Sequence, residues 1–192
     1  MFYVTRPSKD QIENFVSDIA RRHFSYPHVG ASVYGVPKGY TRDHNRVLLG
    51  TGEQVWKRAV EAISRWEMFN LGWTRLCWPN APIRWGTDVA VLIRHYGFYS
   101  LNPSRIVYVK NEDDESVRRY GFAYGTLTGH AESGEERFMV EWHKKKDTVH
   151  YDLLAFSRPS AVLAWTGYPI VRGLQKRFGR DSMASMVRWC RG

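Results

Sequence analysis

A chain of 192 residues is long enough to bury a core of its own and short enough for a single domain spanning 1–192. Its formal charge of +9 and its aromatic content of 15%, with eight Trp and eleven Tyr, point to a basic protein whose core or pocket is built from large rings. Cys77 and Cys190 alone exclude a disulfide framework and a cysteine zinc site. With no run of 18 apolar residues and acids among the first 25, a cytoplasmic protein with no transmembrane segment is expected.

In chain order, Phe2 to Val4 fits a short strand. Ser8 and Gln11 have the spacing of a capping box, and Ile12, Phe15, Val16 and Ile19 then share one helical face up to Arg22. Tyr26 to Tyr40 is interrupted by Pro27, Gly30, Gly35, Pro37 and Gly39, while Tyr26, Tyr34 and Tyr40 suit a loop pinned to the body. Residues 1–45 thus read as a helix and a pinned loop extending the domain. Arg46 to Leu49 is a strand candidate, and Gly50-Thr51-Gly52-Glu53 leads into a helix with Val55, Ala59, Ala62, Ile63 and Trp66 on one face. A dinucleotide site would need a third glycine where Val55 stands, so that reading fails.

Trp73 to Trp78, Thr87 to Tyr99, Ser104 to Lys110, Arg119 to Leu127, Arg137 to His143 and Thr148 to Phe156 read as strands. Turn chemistry separates them at Pro79 to Pro82, Asn102-Pro103, Asn111 to Ser116, Gly129 to Gly134 and Lys144 to Asp147. Short connections imply an antiparallel meander of roughly five to seven strands, flanked by helices: an α+β fold. The last stretch, Arg158 to Cys190, reads as one long helix capped by Ser157, with Pro159 in its first turn. Leu163, Gly167, Ile170, Leu174 and Phe178 share its apolar face. Pro169 predicts a kink in its first third, and Gly167, Gly173 and Gly179 thin it further. From Arg158 to the end of the chain there are seven Arg or Lys against one acid, enough to meet phosphates, anionic lipid or an acidic ligand.

Strand, helix, a run of antiparallel strands and a long terminal helix is an order that resembles the helix-grip superfamily of START lipid-transfer domains, birch-pollen-allergen proteins and aromatic polyketide cyclases. The resemblance implies a curved sheet wrapped around the C-terminal helix with an apolar cavity between them, and no specific activity. A closer resemblance rests on Pro37-Lys38-Gly39-Tyr40 leading to Leu49-Gly50-Thr51-Gly52, and on Trp66-Glu67-Met68-Phe69. It rests above all on Tyr124-Gly125-Thr126-Leu127-Thr128-Gly129-His130 with Gly134-Glu135-Glu136, continuing into Ala155-Phe156-Ser157-Arg158-Pro159. These runs are similar to a family of uncharacterised bacterial and plant proteins called domain of unknown function nineteen-ninety, over Tyr26 to Val187. It implies neither a catalytic residue nor a cofactor.

The hairpin from Gly129 to Glu136 holds the densest polar group. His130 with Glu135 or Glu136 suggests an imidazole–carboxylate pair at a pocket mouth. His130-Ala131-Glu132 is half of a zinc deaminase signature, but the P-C-x-x-C half is missing, as are H-E-x-x-H and G-x-S-x-G motifs. No metal and no cofactor are expected.

Strand alternation turns Phe138, Val140, Trp142, Val149, Tyr151, Leu153 and Ala155 inward, and Arg137, Glu141, His143, His150 and Asp152 outward. Inward polar candidates are Tyr124 or Thr126, Tyr151, Arg94 or His95, and Arg105. Arg105 is expected to meet Asp152, Glu141 or the carboxylate of a ligand. The expected ligand-binding set is therefore Arg105, Tyr124, His130, Glu135, Trp142, Tyr151, Ile170 and Leu174. Trp142, Tyr151, Ile170 and Leu174 should line a cavity of a few hundred Å3. The leading expectation is an apolar or aromatic small molecule, with or without an acidic group, held between sheet and last helix. A cyclase, isomerase or lyase on the same scaffold is the alternative. A nucleic-acid or anionic-surface binder using the basic helix is the third reading, with nucleic-acid contacts weak, salt-sensitive and unspecific.

Overall fold

Among the described residues, eight strands pair into one antiparallel sheet. The computed structural model describes residues 1–159 and 168–192, and the side chains of the last helix from Val171 onward. The strands are β1 (Phe2–Tyr3), β2 (Thr41–Thr51), β3 (Thr74–Leu76), β4 (Asp88–Arg94), β5 (Tyr99–Asp113), β6 (Val117–Thr126), β7 (Glu132–His143) and β8 (Thr148–Pro159). The helices are α1 (Lys9–Ile19), α2 (Gly52–Ser64) and α3 (Tyr168–Arg191). Sheet order is β2-β8-β7-β6-β5-β4-β3, with β1 added beside β5. Bulges between Leu48 and Gly50 and between Ile106 and Tyr108 break the register and help the sheet curve.

The curved sheet grips α3, and α2 packs beside it on the same face. Trp56, Ala59, Ala62 and Ile63 of α2 join Phe122, Phe138, Val140, Tyr151 and Leu153 of the sheet and Met186 of α3 in the main core. Gly179 allows a close approach here, because a Cβ at that position would stand 2.7 Å from Asn45 Nδ2 of β2. A second core forms on the sheet's opposite face, where Phe15 and Ile19 of α1 meet Ala90, Leu92, Leu101 and Leu127. The architecture is α+β helix-grip, as the element order implies.

The capping box at Ser8 is present: Gln11 N donates to Ser8 Oγ at 3.2 Å, and Ser8 N donates to Gln11 Oε1 at 2.8 Å. Ser8→Ala should cost about 1 kcal/mol. Thermal denaturation should show a Tm lower by roughly 2–4 °C.

Two of the element boundaries that differ from expectation involve prolines. The β4–β5 turn falls at His95–Phe98, where His95 N donates to Phe98 O at 2.8 Å, and β5 runs straight through Asn102-Pro103. Pro103 is tolerated because Leu127 N reaches its carbonyl just past the last residue of β6, so its missing N–H falls where that pairing ends. At the other boundary, Ser157 and Pro159 belong to β8, and α3 begins at Tyr168. Pro169 is thus the second residue of α3, in a turn whose N–H groups have no helical partner, and no mid-helix kink is required of it. Leu163 and Gly167 lie outside the described residues.

Candidate functional site

Between the sheet and the first half of α3 lies a cavity of about 150 Å3. That is smaller than expected and close to an engineered apolar cavity that holds one benzene ring. Phe69, Trp73, Val91, Ile93, Leu153, Leu174 and Phe178 supply its apolar wall. Phe69 anchors a chain of rings, with centroids 5.4 Å from Phe138, 5.2 Å from Phe178 and 6.1 Å from Tyr124. Trp73 is held by its indole N–H, which donates to Asp181 Oδ2 at 3.0 Å, and by Arg177 stacked over its ring at 4.5 Å.

One side of the cavity is polar, and its residues come from strand ends. Asp43 and Asn45 descend from β2, and Glu132 and Glu136 from β7, with Ser157 on β8 and Gln175 on α3. The alternation that turns Phe138 and Val140 inward carries on toward the start of β7, placing Glu136 and Glu132 on the same face. Arg172 grips Asp43 through both of its terminal nitrogens, one at 2.7 Å, and also bonds Gln175. Gln175 donates in turn to Glu132 and, at 2.7 Å, to Ser157. Tyr124 donates to Glu136 Oε2 at 2.8 Å.

Burial dominates the electrostatics. It pushes the Glu136 carboxyl up to about 8, assisted by the Glu132 and Asp43 charges and opposed by the Tyr124 hydrogen bond. Burial likewise raises Glu132 to about 7, opposed by Ser157, Arg172 and Gln175. The Tyr124 hydroxyl is lifted well above its ordinary value by burial and by Glu136 beside it. His130 is pushed down to about 4 by burial, which keeps its ring neutral near pH 7.

Of the eight residues expected from sequence, Tyr124, His130, Glu135 and Leu174 border the cavity. His130 does not pair with a glutamate side chain; its Nδ1 takes the backbone N–H of Glu132 at 2.9 Å. Glu135 contributes to the wall, but both of its carboxylate oxygens are committed elsewhere. They accept from Tyr26 Oη at 2.6 Å, Gly30 N at 2.7 Å, Ser32 N at 3.0 Å and the Ser32 hydroxyl. Glu135 therefore pins the Tyr26–Ser32 segment, and its neighbour Glu136 takes the inward place.

Arg105 is a correction. It lies on the α1 side of the sheet, bound to Asp88 at 2.6 and 3.2 Å, because Asp88 and Arg105 are directly opposed in the β4–β5 register. It faces neither Asp152 nor Glu141, nor the cavity. Asp152 instead receives Arg137, Arg46 and His44 on the outer face of the sheet. Trp142 and Tyr151 do face inward but sit toward the other end of the grip. Trp142 stacks on Trp56 of α2, and Tyr151 bonds the Ser182 hydroxyl at 3.0 Å. The side chain of Ile170 lies outside the described residues.

A curved antiparallel sheet closed over a long C-terminal helix, with a ring-lined cavity in the grip, defines a helix-grip protein. The chain belongs to the family described as Domain of unknown function (DUF1990), which matches residues 25–185. It is 34% identical over 205 residues to a UPF0548 protein of Dictyostelium discoideum, covering 98% of this chain and 95% of that one. A UPF0548 protein of Deinococcus radiodurans is 34% identical over 200 residues, with 98% of each chain covered. Among solved structures, hypothetical protein jhp0584 from Helicobacter pylori is similar with a TM-score of 0.52 at 11% identity, over 88% of this chain and 96% of that one. That likeness concerns the fold alone.

Proposed function

We propose that the protein binds an apolar or aromatic small molecule, about one ring in size, in the cavity between the sheet and the first half of α3. The observation that carries this reading is a ring-walled space that the described residues leave unfilled, in a grip whose other end is filled by Trp56, Trp142 and Tyr151. A void of that size costs stability if nothing occupies it, so a core evolved only for packing would close it. Among the described residues no helix is long and apolar enough to cross a membrane.

The test is a titration with benzyl alcohol followed by Trp73 emission, with Trp73→Phe as the control that removes the reporter. Saturation at one site is expected, and Leu174→Trp should weaken binding at least tenfold while circular dichroism stays native. No saturable binding up to millimolar ligand would overturn the reading.

A second reading, acid–base chemistry on the bound molecule, draws on the Tyr124–Glu136 contact inside the cavity. A carboxyl whose proton is exchangeable near neutral pH suits a cyclase, isomerase or lyase. The anionic-surface reading is weakened by the pairing of α3's own basic residues. Arg172 is engaged by Asp43, and Arg177 and Arg180 both reach Asp181.

A further inference from the structure

We propose that the ligand is a cation, a protonated amine carried on a small aromatic or apolar body, and that Glu136 receives its ammonium group with Tyr124 beside it, while Glu132 adds its charge further along the same wall. The inference rests on the cavity being a ligand site, and it names the ligand class.

The argument starts from charge balance. The chain is strongly basic, yet its cavity is bordered by four acidic residues: Glu135, whose carboxylate is taken up by the Tyr26–Ser32 segment, and Asp43, Glu132 and Glu136 on the polar side. The cation brought to them is Arg172, and Asp43 holds it in a two-pronged pair. Among the described residues no Lys, Arg or His forms an ion pair with Glu132 or Glu136. Glu132 accepts its hydrogen bonds from neutral donors, Ser157 and Gln175, and feels the Arg172 charge only at a distance, while Glu136 accepts a single hydrogen bond, from Tyr124. Carboxylates in an apolar enclosure without a cation are costly, and such a group is relieved by a proton or by a cation that enters with its own hydrogen bonds.

Geometry decides which kind of cation. Among the described residues no three His, Cys, Asp or Glu side chains converge closely enough to hold a metal ion. Carboxyls spread along one wall, facing Phe69, Phe178 and Trp73, instead match an ammonium with several N–H donors attached to a ring. An acidic ligand, one of the expectations from sequence, would be repelled: the Arg105 that suggested it is spent on Asp88 across the sheet.

Binding then exchanges protons for the ligand's charge. The groups around the pair are Asp43 and Asn45 from β2, Tyr124 from β6, His130 before β7, Glu135 on β7 with its carboxylate held by Tyr26, Gly30 and Ser32, Ser157 from β8, Arg172 and Gln175 from α3, and His95 at the far wall. His130 and His95 are held neutral by burial, and Arg172 stays charged, so Glu132 and Glu136 are the groups that change state near neutrality. The ammonium stabilises their ionised forms, and protons leave to the solvent.

The experiment compares benzylamine, benzyl alcohol and benzoate by calorimetry at pH 8, with the amine repeated at pH 6 and in buffers of different ionisation enthalpy. Benzylamine should bind at least tenfold tighter than benzyl alcohol, and benzoate should not bind. Amine affinity should rise severalfold from pH 6 to pH 8, with protons released on binding. In Glu136→Gln and Glu132→Gln proteins the preference for amine over alcohol should shrink toward one. Equal binding of amine and alcohol, or a preference for benzoate, would overturn the amine assignment and leave the cavity reading standing. If none of the three binds, the cavity reading fails and the assignment falls with it.

Discussion

Glu135→Gln is expected to lower stability by about 2–4 kcal/mol, and Tm by roughly 5–15 °C, although the two side chains have nearly the same shape. Four donors converge on the Glu135 carboxylate: two backbone N–H groups, the Tyr26 hydroxyl and the Ser32 hydroxyl. Gln offers one oxygen and an NH2 group. Whichever way it turns, a buried N–H or O–H faces another donor, and Glu135 is only 2% exposed. The site is built for the carboxylate. Gly125, directly opposite Glu135 in the β6–β7 register, leaves room for the Tyr26 ring, since a Cβ there would stand 2.2 Å from Tyr26 Oη. Thermal and urea unfolding of Glu135→Gln should show the loss, with Tyr26→Phe showing a smaller one. A melting point within about 2 °C of wild type would mean that the Tyr26–Ser32 segment is held by something else.

The sequence was legible where large apolar residues recur with period two. Phe138, Val140 and Trp142 on β7, and Val149, Tyr151 and Leu153 on β8, share a parity that reveals the inner face of the sheet, even though Met139 and Leu154 on the other face are buried as well. Periodicity also located α1 and α2, because their buried faces bear on sheet and core without polar interruptions. Only part of the polar half of the site was legible: Glu136 was among the hairpin residues expected at a pocket mouth, but its place on a strand with Glu132, and the contribution of β2, were missed for the same reason. Expected β2 and β7 began at Arg46 and Arg137, whereas the strands begin at Thr41 and Glu132. The missing residues include Asp43, Asn45, Glu132 and Glu136, inward positions that carry charges or amides because they line a cavity. A reading that stops a strand where apolar alternation fails stops where the binding surface starts. Period two was still there to extend: Asp43, Asn45 and Val47 share a parity, as do Glu132, Glu136 and Phe138. Arg105 failed differently. The strand was started after Pro103, and neither the bulge between Ile106 and Tyr108 nor the register with Asp88 is visible in composition.

The adjacent glutamate should respond with the opposite sign. In the unliganded protein Glu136→Gln is expected to raise stability above wild type at pH 8.5, by on the order of 2–4 kcal/mol, and to leave it nearly unchanged at pH 4.5. The carboxyl of Glu136 is raised in the folded protein from an ordinary 4.5 to about 8, mainly by burial. A group raised in this way binds its proton more tightly when folded, so its contribution to stability is full below pH 4.5. It declines as pH climbs and is lost once pH passes about 8, where the folded chain must bury an ionised carboxylate. The amide that replaces the carboxyl cannot ionise and can still accept the Tyr124 hydrogen bond through its oxygen, so the variant escapes that decline. Glu132, raised to about 7, should contribute a second slope over a lower window, and it remains in the variant. Urea denaturation at intervals from pH 4.5 to 8.5 reads this directly, with wild type losing stability faster than Glu136→Gln. Parallel curves would show that Glu136 is ionised without penalty, its charge already met in the unliganded protein. Steeper loss in the variant would mean that the carboxylate itself holds the grip together. The expected divergence instead describes a residue kept at a cost to the empty fold, which a cationic ligand would remove.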